Sequence, residues 1–71
     1  MIFPKRLREI RKKKKLTQVA LGNMLGCSYA TIAGYEAGRK EPSLSTFFRI
    51  CQVLEVSADD LLGLSQDTKN I

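Results

Sequence analysis

The 71-residue chain has no histidine, two cysteines, and five aromatic residues, two Tyr and three Phe. Without histidine the commonest zinc ligand is missing, and Cys27 and Cys51 lie too far apart for a C-x-x-C pair, so no metal, cofactor or disulfide framework is expected. Both cysteines sit among apolar neighbours and read as small buried hydrophobes in a reducing cytoplasm. No apolar run approaches the roughly 18 residues that a membrane span needs. The start, MIFPKRLREIRKKKK, puts its charges after the apolar residues, the reverse of a secretory signal, so neither membrane insertion nor export is expected. No alternating stretch of strand length occurs, which leaves an all-α chain. There are no paired carboxylates placed to share a cleft and no glycine loop to cradle phosphate, so no catalytic residues are assigned and an enzyme is not expected. An RNP-like aromatic strand and a GXXG loop are absent as well, which argues against a dedicated RNA binder.

What is present is one small domain's worth of core and an uneven charge. A hydrophobic fraction of 44% suffices for a single core, and 27% charged residues suit an ordinary surface. The net charge of +5 is concentrated at one end. Residues 1–15 hold Lys5, Arg6, Arg8, Arg11 and Lys12 to Lys15 against Glu9 alone. The rest of the chain sets Arg39, Lys40, Arg49 and Lys69 against six acids. Such asymmetry points to a polyanionic partner or to a solvated helix face, and composition does not separate the two.

Local signals divide the chain into five helices. Pro4 suits a first turn, and Leu7 and Ile10 lie on one face of a helix spanning roughly 4–14. Thr17 is an N-cap candidate for a short helix from Gln18 to Leu25, closed by Gly26 as its left-handed residue. Ser28 caps a third helix, roughly 29–36. Ser43 caps a fourth, on which Leu44, Phe47, Phe48, Cys51 and Leu54 recur at three and four. Ser57 caps ADDLL, where Asp59 and Asp60 complement the helix dipole. The last residues, SQDTKNI, carry no periodicity and are expected to be a loose tail, leaving residues 1–64 as the domain. The predicted core is Phe3, Leu7, Ile10, Leu16, Leu21, Leu25, Ile32, Leu44, Phe47, Cys51, Leu54, Val56 and Leu61.

The second and third helices are separated only by Gly26, Cys27 and Ser28, so they must cross steeply, as in a helix-turn-helix. Gly22, in the middle of the second helix, is unfavourable there by about 1 kcal/mol relative to alanine, and a close approach of the third helix would explain it. On the third helix Ile32, Tyr35 and Glu36 share one face, while Tyr29, Ala30, Ala33 and Gly34 share the other. Ile32 and Tyr35 are large and are expected to point inward, leaving one aromatic and three very small residues outside.

The segment LTQVALGNMLGCSYATIAGYEAGRKEPSLSTFFRICQVLEVSADDLL resembles the helix-turn-helix domain of Cro/C1-type repressors, the xenobiotic-response-element regulators. The resemblance spans about residues 3–64 and rests on LTQ at 16–18, LG at 25–26, S–TI at 28–32, YEAG at 35–38, PS at 42–43 and VS–DDLL at 56–62. It implies a five-helix, lambda-repressor-like fold whose third helix enters the major groove of double-stranded DNA. It also implies a transcriptional regulator of repressor type, encoded by a bacterium or phage and associated with the nucleoid. The base-reading positions match Tyr29, Ala30, Ala33 and Gly34. Relatives often carry glutamine, serine or arginine there. With alanine and glycine instead, bidentate hydrogen bonds to bases are lost, and contact with thymine methyls and readout of DNA shape are expected in their place. The resemblance further implies phosphate contacts from Gln18, Ser28, Thr31, Arg39 and Lys40, although Ser28 is equally accounted for as a cap. Arg11 and Glu36 match a partly buried ion pair. Lys15 stands where relatives have glycine, so it is expected to adopt the backbone angles glycine favours. The lysines at 12–15 act either mainly as a diffuse attractive field, with one of them touching phosphate, or as a solvated face.

A module this small implies a homodimer on a near-palindromic operator, and the C-terminal helix region with Leu62 and Leu64 is the expected contact. With no room for an effector domain among these residues, ligand control would have to act through another protein or through the level of this one. The competing reading is a protein-interaction module, an antitoxin or adaptor built on the same fold.

Overall fold

Each helix among the described residues stops in the same way. The computed structural model describes residues 2–64; Met1 and the expected tail, 65–71, lie outside the described residues. Within them the chain is all-α: α1 (Phe3–Lys13), α2 (Gln18–Leu25), α3 (Tyr29–Glu36), α4 (Leu44–Leu54) and α5 (Ala58–Leu62). At each C-terminus two backbone bonds close the last turn. After α1 the Leu16 amide donates to the Arg11 carbonyl at 3.0 Å and the Lys15 amide to that of Lys12 at 2.9 Å. The corresponding outer bonds after α2 to α5 are Cys27 to Gly22, Arg39 to Gly34, Val56 to Cys51 and Leu64 to Asp59. This arrangement, the Schellman motif, needs a left-handed residue just past the helix. That residue is Gly26, Gly38 or Gly63 in three cases, and Lys15 (φ 61°) and Glu55 (φ 58°) in the others.

The N-termini of α2 to α5 are capped by Thr17, Ser28, Ser43 and Ser57, whose hydroxyl oxygens accept from the amides of Ala20, Thr31, Thr46 and Asp60. These bonds satisfy donors that a helix start otherwise leaves unpaired. The first helix has no side-chain cap, begins one residue earlier than predicted, and ends on Arg11, Lys12 and Lys13, whose charges suit the negative end of the dipole.

Leu7, Leu21, Ile32, Ile50, Leu54 and Leu61 are fully buried, joined by Phe3, Ile10, Leu25 and Tyr35. Leu16, Cys27, Phe47, Cys51 and Val56 pack half-buried against them. The predicted register of α4 needs correction. Leu44 is 84% exposed, whereas Ile50, absent from the predicted core, is completely covered. Two apolar stripes overlap on this helix. One contains Leu44, Phe48 and Cys51, the other Phe47, Ile50 and Leu54, and both satisfy helical spacing. The second faces the core, where Phe47 meets Phe3 edge to face at 5.7 Å between ring centres.

Candidate nucleic-acid interface

Close contact between backbones sets the crossing of α2 and α3. A β-carbon at Gly22 would stand 2.6 Å from the Cys27 carbonyl oxygen and 3.2 Å from the Ser28 carbonyl carbon. The approach is by the turn that leads into α3 rather than by the body of that helix. Only glycine fits without moving backbone.

The inner face of α3 is anchored by Ile32 and Tyr35 and by one polar cluster. Arg11 reaches across from α1 and holds Glu36 with both ends of its fork, Nε to Oε2 at 2.6 Å and Nη2 to Oε1 at 3.0 Å. The two side chains are 9% and 5% exposed. The remaining Arg11 nitrogen, Nη1, donates to the Leu16 carbonyl at 2.8 Å, bracing the turn at Lys15. Gln18, at the start of α2, donates to the same carboxylate at 3.2 Å. One carboxylate thus ties α1 and α2 to the end of α3. Hydrogen bonding to Glu36 raises the Arg11 guanidinium above its ordinary value, so this cation stays charged throughout the physiological range.

The outer face is slim and mostly open. Tyr29 is 59% exposed, Ala30 is exposed and Ala33 is half-buried. Gly34 departs from the expected arrangement, for it is buried beneath Lys40. The Lys40 alkyl chain lies where a side chain at 34 would project, 3.1 to 3.6 Å from the β-carbon position, and the amides of Arg39 and Lys40 both donate to the Gly34 carbonyl. Gly34 therefore seats the loop that follows α3 instead of presenting an open edge. Arg39 and Lys40 are exposed at the far end of the helix, and Ser28 is exposed at its near end with Thr31 half-buried beside it.

Several polar contacts carry no local sequence signal. Arg6 bonds Asp60 at 2.6 Å and Glu9 at 2.8 Å, and its Nε donates to the Asp60 carbonyl at 3.1 Å. Only the Arg6–Glu9 spacing of three is visible in the sequence; Asp60 lies on α5. Arg49 donates to the Leu25 carbonyl at the end of α2. Among the described residues no cluster of His, Cys, Asp or Glu is placed to hold a metal, and no helix is long and apolar enough to cross a membrane.

A sequence profile of the family described as helix-turn-helix matches residues 7–61. The chain belongs to the Cro/C1-type helix-turn-helix family. This helix-turn-helix chain is 36% identical over 66 residues to the uncharacterized HTH-type transcriptional regulator YobD of Bacillus subtilis, across 93% of its own length and 59% of that protein's. It is 38% identical over 61 residues to repressor protein C2 of Salmonella phage P22, across 86% of its own length and 28% of the repressor's. The chain spans about half the length of the curated relatives it matches. Its fold superposes on the P22 c2 repressor solved in complex with synthetic operator 9T in the presence of Tl+, with a TM-score of 0.82 and 34% identity over 90% of this chain and 97% of that one. The restriction-modification controller protein C.AhdI of Aeromonas hydrophila is similar at a TM-score of 0.77 and 30% identity, over 83% of this chain and 86% of the other.

Proposed function

We propose that this helix-turn-helix protein is a transcriptional regulator of repressor type that binds double-stranded DNA in sequence-dependent fashion, with α3 in the major groove. The likeness to a repressor solved on a synthetic operator carries the reading. The exposed side of α3 supplies a geometry for it. A helix lies deep in the groove when its outer face is small, and cations at its margins suit phosphates rather than bases. Ala30 and Ala33 offer methyl groups to thymine methyls, and Tyr29, at the first turn, reaches a base edge or phosphate. Arg39 and Lys40 grip the backbone beyond the far end of the helix. Ser28 and Thr31 do so at the near end, where the Ser28 hydroxyl also caps α3. Gln18 stands at the start of α2, braced against Glu36 while its chain meets phosphate. With no side chain on α3 able to make a bidentate base contact, much of the sequence preference comes from the shape and deformability of the duplex.

A homodimer belongs to the same reading. One domain of this size has too small a footprint for tight specific binding, and two copies on adjacent half-sites combine their contacts. Leu64 is 47% exposed, but Leu62 packs half-buried on the protein's own core. The larger apolar surface is beside them, where Leu44, Phe48 and Cys51 of α4 and Ala58 of α5 border one groove. We assign the dimer contact to this α4–α5 face.

Selection of bound sites from random duplexes tests the reading. Enrichment of paired, inverted half-sites with centres about 34–36 Å apart is the expected result. Failure to retain any duplex at low salt would remove DNA from the account and favour the protein-interaction alternative.

A further inference from the structure

The basic run that composition left undivided is sorted by the fold into two sides. Arg8 and Lys12, one turn apart on α1, border a shallow cleft whose other walls are Arg11 of α1, Gln18 of α2, Ala33 and Glu36 of α3, and Ala37 just past the end of α3. Lys13 and Lys14 border a separate cleft, shared with Arg6, Glu9, Val56 and Asp60 on the side of α5. The electrostatics of the two clefts differ. In the first, the only acid is Glu36, and its charge is taken up by the fork of Arg11. Arg8 and Lys12 are exposed, and neither enters an ion pair among the described residues. An anion above this cleft therefore meets two uncompensated cations. In the second cleft Glu9 and Asp60, bridged by Arg6, stand beside the two lysines and weaken their field.

We infer that Arg8 and Lys12 bind two backbone phosphates of the DNA strand that passes over the cleft between α1 and the end of α3, and that Lys13 and Lys14 make no phosphate contact. The inference rests on the DNA-binding reading above and extends its phosphate contacts from the two ends of α3 and Gln18 to α1. Ala33 lines both the groove-facing side of α3 and this cleft, so a strand bounding the groove that receives α3 comes within reach of both cations. Their spacing of four residues puts them on one face of α1, about 5–6 Å apart at the β-carbons, which lets two long side chains reach neighbouring phosphates.

The test compares the wild-type chain with Arg8→Gln/Lys12→Gln and with Lys13→Gln/Lys14→Gln, using a random-sequence duplex of fixed length titrated at several salt concentrations. All four residues are exposed, so both variants should melt at the wild-type temperature, and circular dichroism checks this. Each phosphate contact contributes about 0.9 to the slope of log affinity against log salt. The slope should fall by about 1.8 in Arg8→Gln/Lys12→Gln and remain near the wild-type value in Lys13→Gln/Lys14→Gln. A difference between the two variants of less than about one unit of slope overturns the assignment, as does a larger fall in the lysine pair. If a double variant fails to fold, Arg8→Gln and Lys13→Gln alone decide, with about 0.9 expected from the first and no change from the second. A wild-type chain that binds duplex without salt dependence, or not at all, overturns the parent reading as well, and so differs visibly from a failure confined to these residues.

Discussion

Two glycines inside helices illustrate how much one residue's surroundings matter. A β-carbon at Gly22 meets the backbone carbonyl of Cys27 at 2.6 Å, whereas one at Gly34 meets the γ- and δ-carbons of Lys40 at 3.2 and 3.1 Å. Backbone in a tight turn gives way only with the turn itself; a lysine chain swings aside. Gly22→Ala should therefore destabilise the domain by about 1–3 kcal/mol, the range for overpacking. Gly34→Ala should gain up to about 1 kcal/mol from helix propensity while displacing Lys40 and weakening duplex binding. Urea unfolding of both variants, with binding measured on the second, checks the pair of signs. The Arg11–Glu36 pair is a second residue-scale case. Replacing one partner leaves a buried charge alone, so Glu36→Ala should lower stability by roughly 3–5 kcal/mol. Arg11→Met with Glu36→Leu removes both charges together and should recover most of that loss, which a double-mutant cycle in urea would detect.

At the scale of elements, the helices are held at their ends by local chemistry. The hydroxyls at 17, 28, 43 and 57 and the glycine at 26 act within a few residues of themselves, which is why four caps and one stop were legible without the fold; the stops at Gly38 and Gly63 emerged with the structure. Lys15 is the informative exception. It occupies a left-handed position at φ 61°, as the comparison with glycine at that site led one to expect. A side chain there costs about 1–2 kcal/mol, partly offset because glycine makes the unfolded chain more flexible by about 0.4–1 kcal/mol. Lys15→Gly should thus raise stability by up to about 1.6 kcal/mol and Lys15→Ala should not, a contrast that thermal melts of the two variants would resolve. The register of α4 shows the opposite situation. Its sequence offers two stripes of acceptable spacing, and no local feature ranks Ile50 above Leu44. The choice is made by Phe3 and the other helices, which supply a surface for Phe47, Ile50 and Leu54.

For the whole molecule, the apolar residues that α4 leaves outside have a consequence. With Leu44 84% and Phe48 60% exposed, the α4–α5 face should bring two copies together. The measurement is sedimentation equilibrium across micromolar concentrations. A dimer is expected for the wild-type chain and a monomer of unchanged melting temperature for Phe48→Lys. A wild-type chain that stays monomeric throughout would refute the assignment of this face. The distribution of charge also became intelligible only at this scale. Eight cations within fifteen residues announced a polyanion or a solvated face; folding assigns Arg6 to α5, Arg11 to Glu36, Arg8 and Lys12 to the side of α3, and Lys13 and Lys14 to the other. What the order of residues determined alone was whatever acts through near neighbours along the chain: five helices, four of them with their N-caps, the stop at Gly26, the tight turn at 26–28 and the small residues at 30 and 33 on the outer face of α3. Which α4 stripe is buried, where Lys40 rests and which cations remain unpaired were decided by contacts between residues far apart in sequence. Those depend on the mutual orientation of helices, and no periodicity within one helix records it.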